Sequence, residues 1–244
     1  MSKRIRFFLG HLLISLAIAL LVTYLIFCVW YPQPLDKALG VGFIFMMMLV
    51  IDVILGPLLG LLVYQEGKKT LKMDLSIIIL IQVAALGYGM YSIAQARPVW
   101  IVFNHDRFEL VRNNELKTEN ITHAQPQYQQ PTWLQPQYVA VKQTDDLQER
   151  QIEQMTAMLN GISLAQYPER YISLDQTKIQ IQKQSRNLSQ LTQWNDDKTV
   201  QQYLNLYPKA NAWLPLETYG LAMVILINRE KAEVIKIVDL RPWN

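Results

Sequence analysis

The sequence has one cysteine, Cys28, and three histidines, His11, His105 and His123. A single cysteine excludes a disulfide within the chain and any cysteine-based metal site. Leu25, Ile26 and Phe27 before it lack the small residue of a lipoprotein cleavage site, so the thiol reads as packing. The histidines do not fall at the spacing of metal ligands, and His105-Asp106 reads as a solvated pair in a turn. No Gly-x-Ser-x-Gly elbow occurs, no serine has companion His and Asp residues in a recognisable place, and there is no phosphate loop. Catalytic, cofactor-binding and metal-binding constellations are all missing, and the chain reads as non-enzymatic. A charge excess is missing too from residue 97 onward, where sixteen basic residues meet sixteen acidic ones. The formal charge of +3 therefore arises before residue 97, and nothing points to nucleic acid.

Apolar residues are abundant. They make up 51% of the 244 residues, and that average hides two unlike parts. Residues 1–96 are almost wholly apolar and residues 97–244 are polar and Gln-rich, which predicts a membrane part and one soluble domain. Three runs, about 7–30, 39–64 and 75–94, each approach the ~20 residues needed to cross a bilayer. The first follows Lys3, Arg4 and Arg6, and it is longer than the core of a cleaved signal, so it reads as an uncleaved anchor. Trp30 and Tyr31 close it at an interface, and Pro32 and Pro34 stop the helix. Asp74 is expected to cap the third run. Basic residues cluster before the first run and again at Lys68, Lys69 and Lys72, whereas the first loop sets Asp36 against Lys37. The positive-inside rule places both basic segments in the cytoplasm and residues 97–244 on the far side.

Beyond the membrane part, Val99–Phe103, Phe108–Val111 and Tyr138–Lys142 read as strands. Asn113–Gln137 carries Pro126, Pro131 and Pro136 and reads as an exposed loop. Helices are expected over Thr144–Asn160, with Leu147, Ile152, Met155 and Leu159 on one stripe and Gly161 as the stop, then over Asp175–Leu191 and Asp196–Tyr207. Leu221–Asn228 and Glu233–Leu240 form a terminal hairpin. The fold class is thus three transmembrane helices plus a small α+β domain with an antiparallel sheet.

Asp52 is the one acid inside an apolar run, and an ionisable group at that depth is costly. Asp52, Gly56 and Gly60 fall four residues apart on one helix face, and small residues there let another helix approach. Pro57 is expected to kink this run. The first run has a comparable stripe, His11, Ser15, Ala19 and Thr23, and the third has Gln82, Ala85 and Gly89. His11 lies roughly 10 Å nearer the cytoplasm than mid-membrane, at 1.5 Å per residue, so Gln82 or Ser15 is the expected partner of Asp52. Two readings stay open: a hydrogen bond that fixes the packing of the three helices, or a face that contacts another protein. Intramembrane aspartyl proteolysis is excluded, because it needs two carboxylates at one depth and Asp74 lies at the membrane edge. Outside the membrane, Tyr128, Trp133 and Tyr138 are the candidate contact residues for a partner, the alternative being a loop laid on its own domain with Trp133 buried.

These features resemble the TfpX/TfpZ group of type IV pilin accessory proteins. The resemblance is carried by KRIRFFLGHLLISLAIALLVTYLIFCVWYP, by DVILGPLLGLLVY with GKKTLKMDL after it, by RPVWIVFNHDRFELV and by INREKAEVIKIVDLRPW. Asp52, Gly56, Pro57, Lys68, Lys69, Asp106, Arg107, Arg241 and Pro242 match the group's recurrent motifs. The resemblance implies a protein of the bacterial inner membrane, with its N-terminus in the cytoplasm and residues 97–244 in the periplasm. It also implies a role in assisting a cognate type IV major pilin, with other inner-membrane pilus assembly proteins as further partners. The expected mechanism is docking of the pilin's apolar helix in the membrane and contact with its head outside. A rival expectation is a membrane sensor with a ligand-binding periplasmic domain, although the cytoplasmic segments hold no signalling domain.

Overall fold

Backbone N–H and C=O groups find no water in hydrocarbon, so apolar runs of this length fold as helices. The computed structural model describes residues 2–144, 146, 148, 151–153, 155, 159 and 161–243. It divides into two compact units, Met1–Ala96 and Arg97–Asn244.

The first unit holds three helices long and apolar enough to cross a membrane: Lys3–Trp30, Val41–Val63 and Leu71–Gln95. Ser2 caps the first, its hydroxyl accepting from the Ile5 N–H. Gly40, at φ +64°, ends a short helix over Leu35–Leu39 and starts the second span in a conformation that suits glycine. The third span begins four residues earlier than the apolar run suggests. Asp74 therefore does not cap it; it lies in the first turn, 2.7 Å from Lys68 Nζ and accepting from the Thr70 hydroxyl at 3.0 Å. Leu13, Leu21, Phe43, Leu62 and Leu80 point outward and are exposed, as lipid-facing side chains must be.

Two of the spans contain a wide, π-type turn, at Leu25–Trp30 and Val50–Leu55. In each the following N–H reaches five residues back, Tyr31 to the Ile26 carbonyl at 2.7 Å and Gly56 to that of Ile51. The second wide turn sits just before Pro57, which has no N–H and whose ring crowds the carbonyl four residues back. Widening the helix there absorbs the proline with the span continuing as a helix. The second span packs against both others. At one end Ile26, Trp30, Tyr31, Phe45, Met48 and Ile93 form a cluster, tied by the Tyr31 hydroxyl donating to the Ile93 carbonyl at 2.9 Å.

The second unit is built on one seven-stranded sheet: β1 Pro98–Asn104, β2 Arg107–Arg112, β3 Gln137–Val141, β4 Tyr171–Ile172, β5 Ala212–Glu217, β6 Met223–Asn228 and β7 Glu233–Val238. Their order is β4-β3-β1-β2-β5-β6-β7. The fold is α+β as expected, and four of its pairings are antiparallel. Two are parallel, β1 with β3 and β2 with β5, which makes the sheet mixed. Parallel neighbours need long crossovers, and residues 105–136, which include β2, and residues 113–211 supply them. β5 and the short β4 have no counterpart among the expected strands. β5 contains Pro215, but its pairing with β2 starts only at Leu216, so the missing N–H interrupts no ladder on that side.

Asp196–Tyr207 is realised as a helix over Asp197–Leu206, capped by Asp196 accepting from the Thr199 N–H at 3.0 Å. The single helix expected over Asp175–Leu191 is instead broken. Short 3₁₀ turns at Leu174–Thr177 and Leu188–Gln193 flank a helix over Lys178–Gln184. The break comes at Arg186, whose N–H and C=O exchange hydrogen bonds with Trp213 of β5 at 2.8 and 3.0 Å. The helix expected over 144–160 falls largely outside the described residues. Residues 113–136 form a loop of short 3₁₀ turns, though not wholly exposed, since Ala124 and Tyr128 are buried.

Two core clusters lie along one face of the sheet. In one, Trp100 meets Tyr128 and Tyr171 edge-on, with ring centroids 5.9 and 5.5 Å apart. In the other, Trp213 is fully buried among Leu191, Val200, Val224 and Leu226, and its indole N–H donates to the Asn187 carbonyl at 2.9 Å. Replacing a large buried aromatic by alanine costs about 3–5 kcal/mol. Trp213→Ala is therefore expected to lower the chemical denaturation midpoint of the detergent-solubilised full chain by that much stability, whereas Trp133→Ala, at an exposed ring, leaves it nearly unchanged.

Glu109 of β2 faces Asn104, whose side-chain N–H donates to its carboxylate at 2.8 Å, and Glu217 stands beside it in register. Burial pushes the Glu109 carboxyl above the usual carboxylate range; Ser163, Asn104 and Arg107 oppose this and Glu217 reinforces it. The folded state thus holds its proton to higher pH than the unfolded chain, and stability falls as pH rises through the raised value. Glu109→Gln is expected to raise the melting temperature at neutral pH. The gain should shrink as pH falls towards about 4.3, the unperturbed glutamate value. Melting curves of both proteins across that range check the sign.

Candidate intramembrane site

Within the first unit, a cleft of about 450 Å³ opens between the first and third spans, with the second span as its floor. The first span supplies Phe7, Gly10, His11, Ser15 and Ala19, the third supplies Gln82, Val83 and Leu86, and the floor is Met48, Leu49 and Asp52. Arg6 lies at one end of it. Asp52, Ser15 and Gln82 are thus brought together around one space. Gly56 and Gly60 are buried beside it, against the chain's own helices.

The glycines decide how closely those helices approach. A Cβ at position 56 would stand 1.7 Å from Nε2 of Gln82, so any side chain there displaces that amide. With none, Gln82 reaches over Gly56 and donates to the main-chain carbonyl of Asp52 at 3.1 Å. A Cβ at position 60 would meet Phe7 at 3.1 Å and Nδ1 of His11 at 3.4 Å. On the third span, Gly89 performs the same service for Met48, whose sulfur would lie 2.7 Å from a Cβ.

Gln82 therefore partners Asp52 through its backbone, and the carboxylate is left over. Asp52 Oδ1 is buried with no hydrogen-bond partner among the described residues, while Gln82 Oε1 and His11 Nδ1, also buried, belong to side chains that interact with each other. A desolvated oxygen left unpaired costs roughly 1–3 kcal/mol in proteins until something pairs with it. His11 stands opposite Gly60, two helical turns along the second span from Asp52. Its place on the cleft wall was legible only as a stripe of small and polar residues on the first span. The packing of Phe7 against His11 and Tyr64, with centroids 5.8 and 5.5 Å apart, had no such signal. Asp52 is the one carboxylate lining the cleft among the described residues, so the arrangement offers hydrogen-bond acceptors between apolar walls and not an acid pair.

In the second unit the three candidate contact residues separate. Tyr128 is only 8% exposed and belongs to the core around Trp100, so it is not a contact surface. Its run of prolines and glutamines suggested exposure, yet its ring fills the gap between Trp100 and Tyr171. Tyr138 sets its ring edge on Phe108 at 6.2 Å, and burial pushes its hydroxyl up to about 12, while its outer side remains accessible. Trp133 is 68% exposed, with the Arg97 guanidinium 4.6 Å from its ring centroid. Asp106, beside His105 in the β1–β2 turn, accepts from Arg107 at 3.1 Å and lies 3.7 Å from Arg186. Among the motif residues near the C-terminus, Arg241 bonds Asp239 and the Ala222 carbonyl, closing the end of the sheet.

Residues 1–40 match the family model described as fimbrial assembly protein FimB. Two relatives from Dichelobacter nodosus, the fimbrial assembly proteins of serogroup I and serogroup E1, are 33% and 32% identical over 214 residues, covering 84% of this chain and 83% of each relative. A third, of serogroups C1 and C2 of the same organism, is 39% identical over 116 residues, covering 47% of this chain and 88% of its own length. No solved structure matches the chain. Likeness of that extent, necessarily taking in both the spans and the domain after them, places the chain in the fimbrial assembly protein family.

Proposed function

We propose that this protein is a non-enzymatic accessory factor that holds a type IV pilin subunit in the bacterial inner membrane for assembly into a pilus. The observation that carries the reading is the cleft with the unpaired carboxylate oxygen of Asp52. Its volume takes a few side chains and not a whole helix, so the partner lies along the rim and inserts part of one face. A helix with an apolar face and a hydrogen-bond donor at that depth both fills the walls and satisfies that oxygen. The glycine face of the second span is occupied by the chain's own Gln82, Phe7 and His11, so docking falls to the gap between the first and third spans.

In this reading the N-terminus and Gln65–Thr70 are cytoplasmic, and the domain from Arg97 onward is periplasmic, where it meets the head of the subunit near Tyr138. Two weak contacts on one tethered partner raise effective concentration, so selectivity needs no tight site. Nothing in the cleft performs chemistry on the subunit; the protein positions it.

Asp52→Leu is expected to reduce pilin co-purification and surface pili several-fold while the protein level in the membrane stays the same. Wild-type piliation in that variant removes Asp52 from the mechanism. A photo-crosslinker at Ile18 on the cleft wall, with pilin expressed beside it, is expected to capture the pilin's membrane helix. Adducts only with other proteins would refute the docking.

A further inference from the structure

Four exposed apolar side chains of the second unit lie at one end of its sheet, the end at which the chain enters from the third span. β1 starts there at Pro98, two residues after Ala96, and β2 returns to it, with Arg112 opposite Pro98. β3 runs parallel to β1 and so begins at the same end, which places the loop before it there, with Trp133 and Leu134 at 68% and 65% exposure. β5 runs parallel to β2 and so finishes at that end, which places the loop after it there, with Tyr219 and Leu221 at 76% and 52%.

Two arginines confirm the register. The guanidinium of Arg97 lies 4.6 Å from the Trp133 ring centroid, and that of Arg112 lies 4.1 Å from that of Tyr219. Both loops are braced in the same way. The Thr132 hydroxyl donates to the Gln135 carbonyl at 3.1 Å, and the Thr218 hydroxyl donates to the Leu221 carbonyl at 3.0 Å. The rings are thus presented on fixed turns and not on trailing chain. The four strands β3, β1, β2 and β5 place the two loops about 14 Å apart, three strand spacings of ~4.8 Å.

Because Arg97 follows the last residue of the third span, Gln95, by two positions, this end of the sheet is tethered at the bilayer surface by covalent connection alone. Trp and Tyr prefer the headgroup level, where an apolar ring and a polar edge are both accommodated, while Arg97, buried, and Arg112, paired with Glu115, brace the rings from behind. We propose that the sheet end formed by Trp133, Leu134, Tyr219 and Leu221, with Arg97 and Arg112 behind the rings, rests in the headgroup region of the phospholipid bilayer. This assigns Trp133 to lipid and leaves the subunit-contacting surface of the domain elsewhere. It depends on the third helix crossing the membrane, and it needs no pilin.

The full chain is placed in phospholipid nanodiscs in a Cys28→Ser background, and nitroxide labels are attached singly at Leu134→Cys, Leu221→Cys and Glu230→Cys. Glu230 is exposed in the β6–β7 turn at the opposite end of the sheet. Power-saturation spectroscopy then compares access to oxygen, which concentrates in lipid, with access to a water-soluble nickel chelate. The oxygen-to-nickel ratio is expected to be several-fold higher at positions 134 and 221 than at 230. Ratios equal to that at 230 overturn the proposal, and so does shielding from both reagents, which would mark a protein contact instead. Circular dichroism of each labelled protein verifies the fold, and the absence of pilin keeps this result separate from the docking experiment.

Discussion

One hydrogen bond organises the membrane part: the Gln82 amide donating across Gly56 to the Asp52 carbonyl. It forms because position 56 has no side chain, and it is needed because an amide in hydrocarbon has no water to turn to. Its geometry has a by-product. By taking the backbone oxygen, Gln82 draws the third span onto the second and leaves the Asp52 carboxylate on the side of the first span, in the cleft. The site is therefore not an addition to the packing; it is what the packing leaves over. The wide turn over Val50–Leu55 contributes to the same end, since it surrounds Asp52 and lets the span continue past Pro57.

Much of this was legible in the sequence because membrane helices obey few rules. Length and apolarity marked the three spans, and the four-residue interval of Asp52, Gly56 and Gly60 marked the close face. What the interval does not carry is who approaches. The same stripe serves a neighbour in the chain or a stranger, and only the third span's rotation, with Gln82 turned inward, decides between them. The π-type turns were hidden for a similar reason: Pro57 announces that something must give, but not that the helix widens ahead of it.

The soluble domain was harder to read. Its hairpins, β1 with β2 and β6 with β7, are local in sequence and stand out as alternating or β-branched runs. β5 does not, because Pro215 breaks its pattern and its place in the sheet depends on a crossover of about a hundred residues. The broken helix at Arg186 has the same origin, since its main chain is captured by β5. Tyr128 shows the reverse error, a residue in a proline- and glutamine-rich loop that looks exposed by composition and is buried because Trp100 and Tyr171 leave room for a ring.

The order of strands across the sheet differs from their order along the chain, and this bears on how the domain comes into being. The two strands that come first along the second unit, β1 and β2, occupy the middle, with β3 and β5 added later on opposite sides. During synthesis this hairpin has both long edges unpaired, and it stays so on one side until residue 217 has been delivered. The domain thus grows outward from a central hairpin, and β2 is the strand that waits longest for its second neighbour.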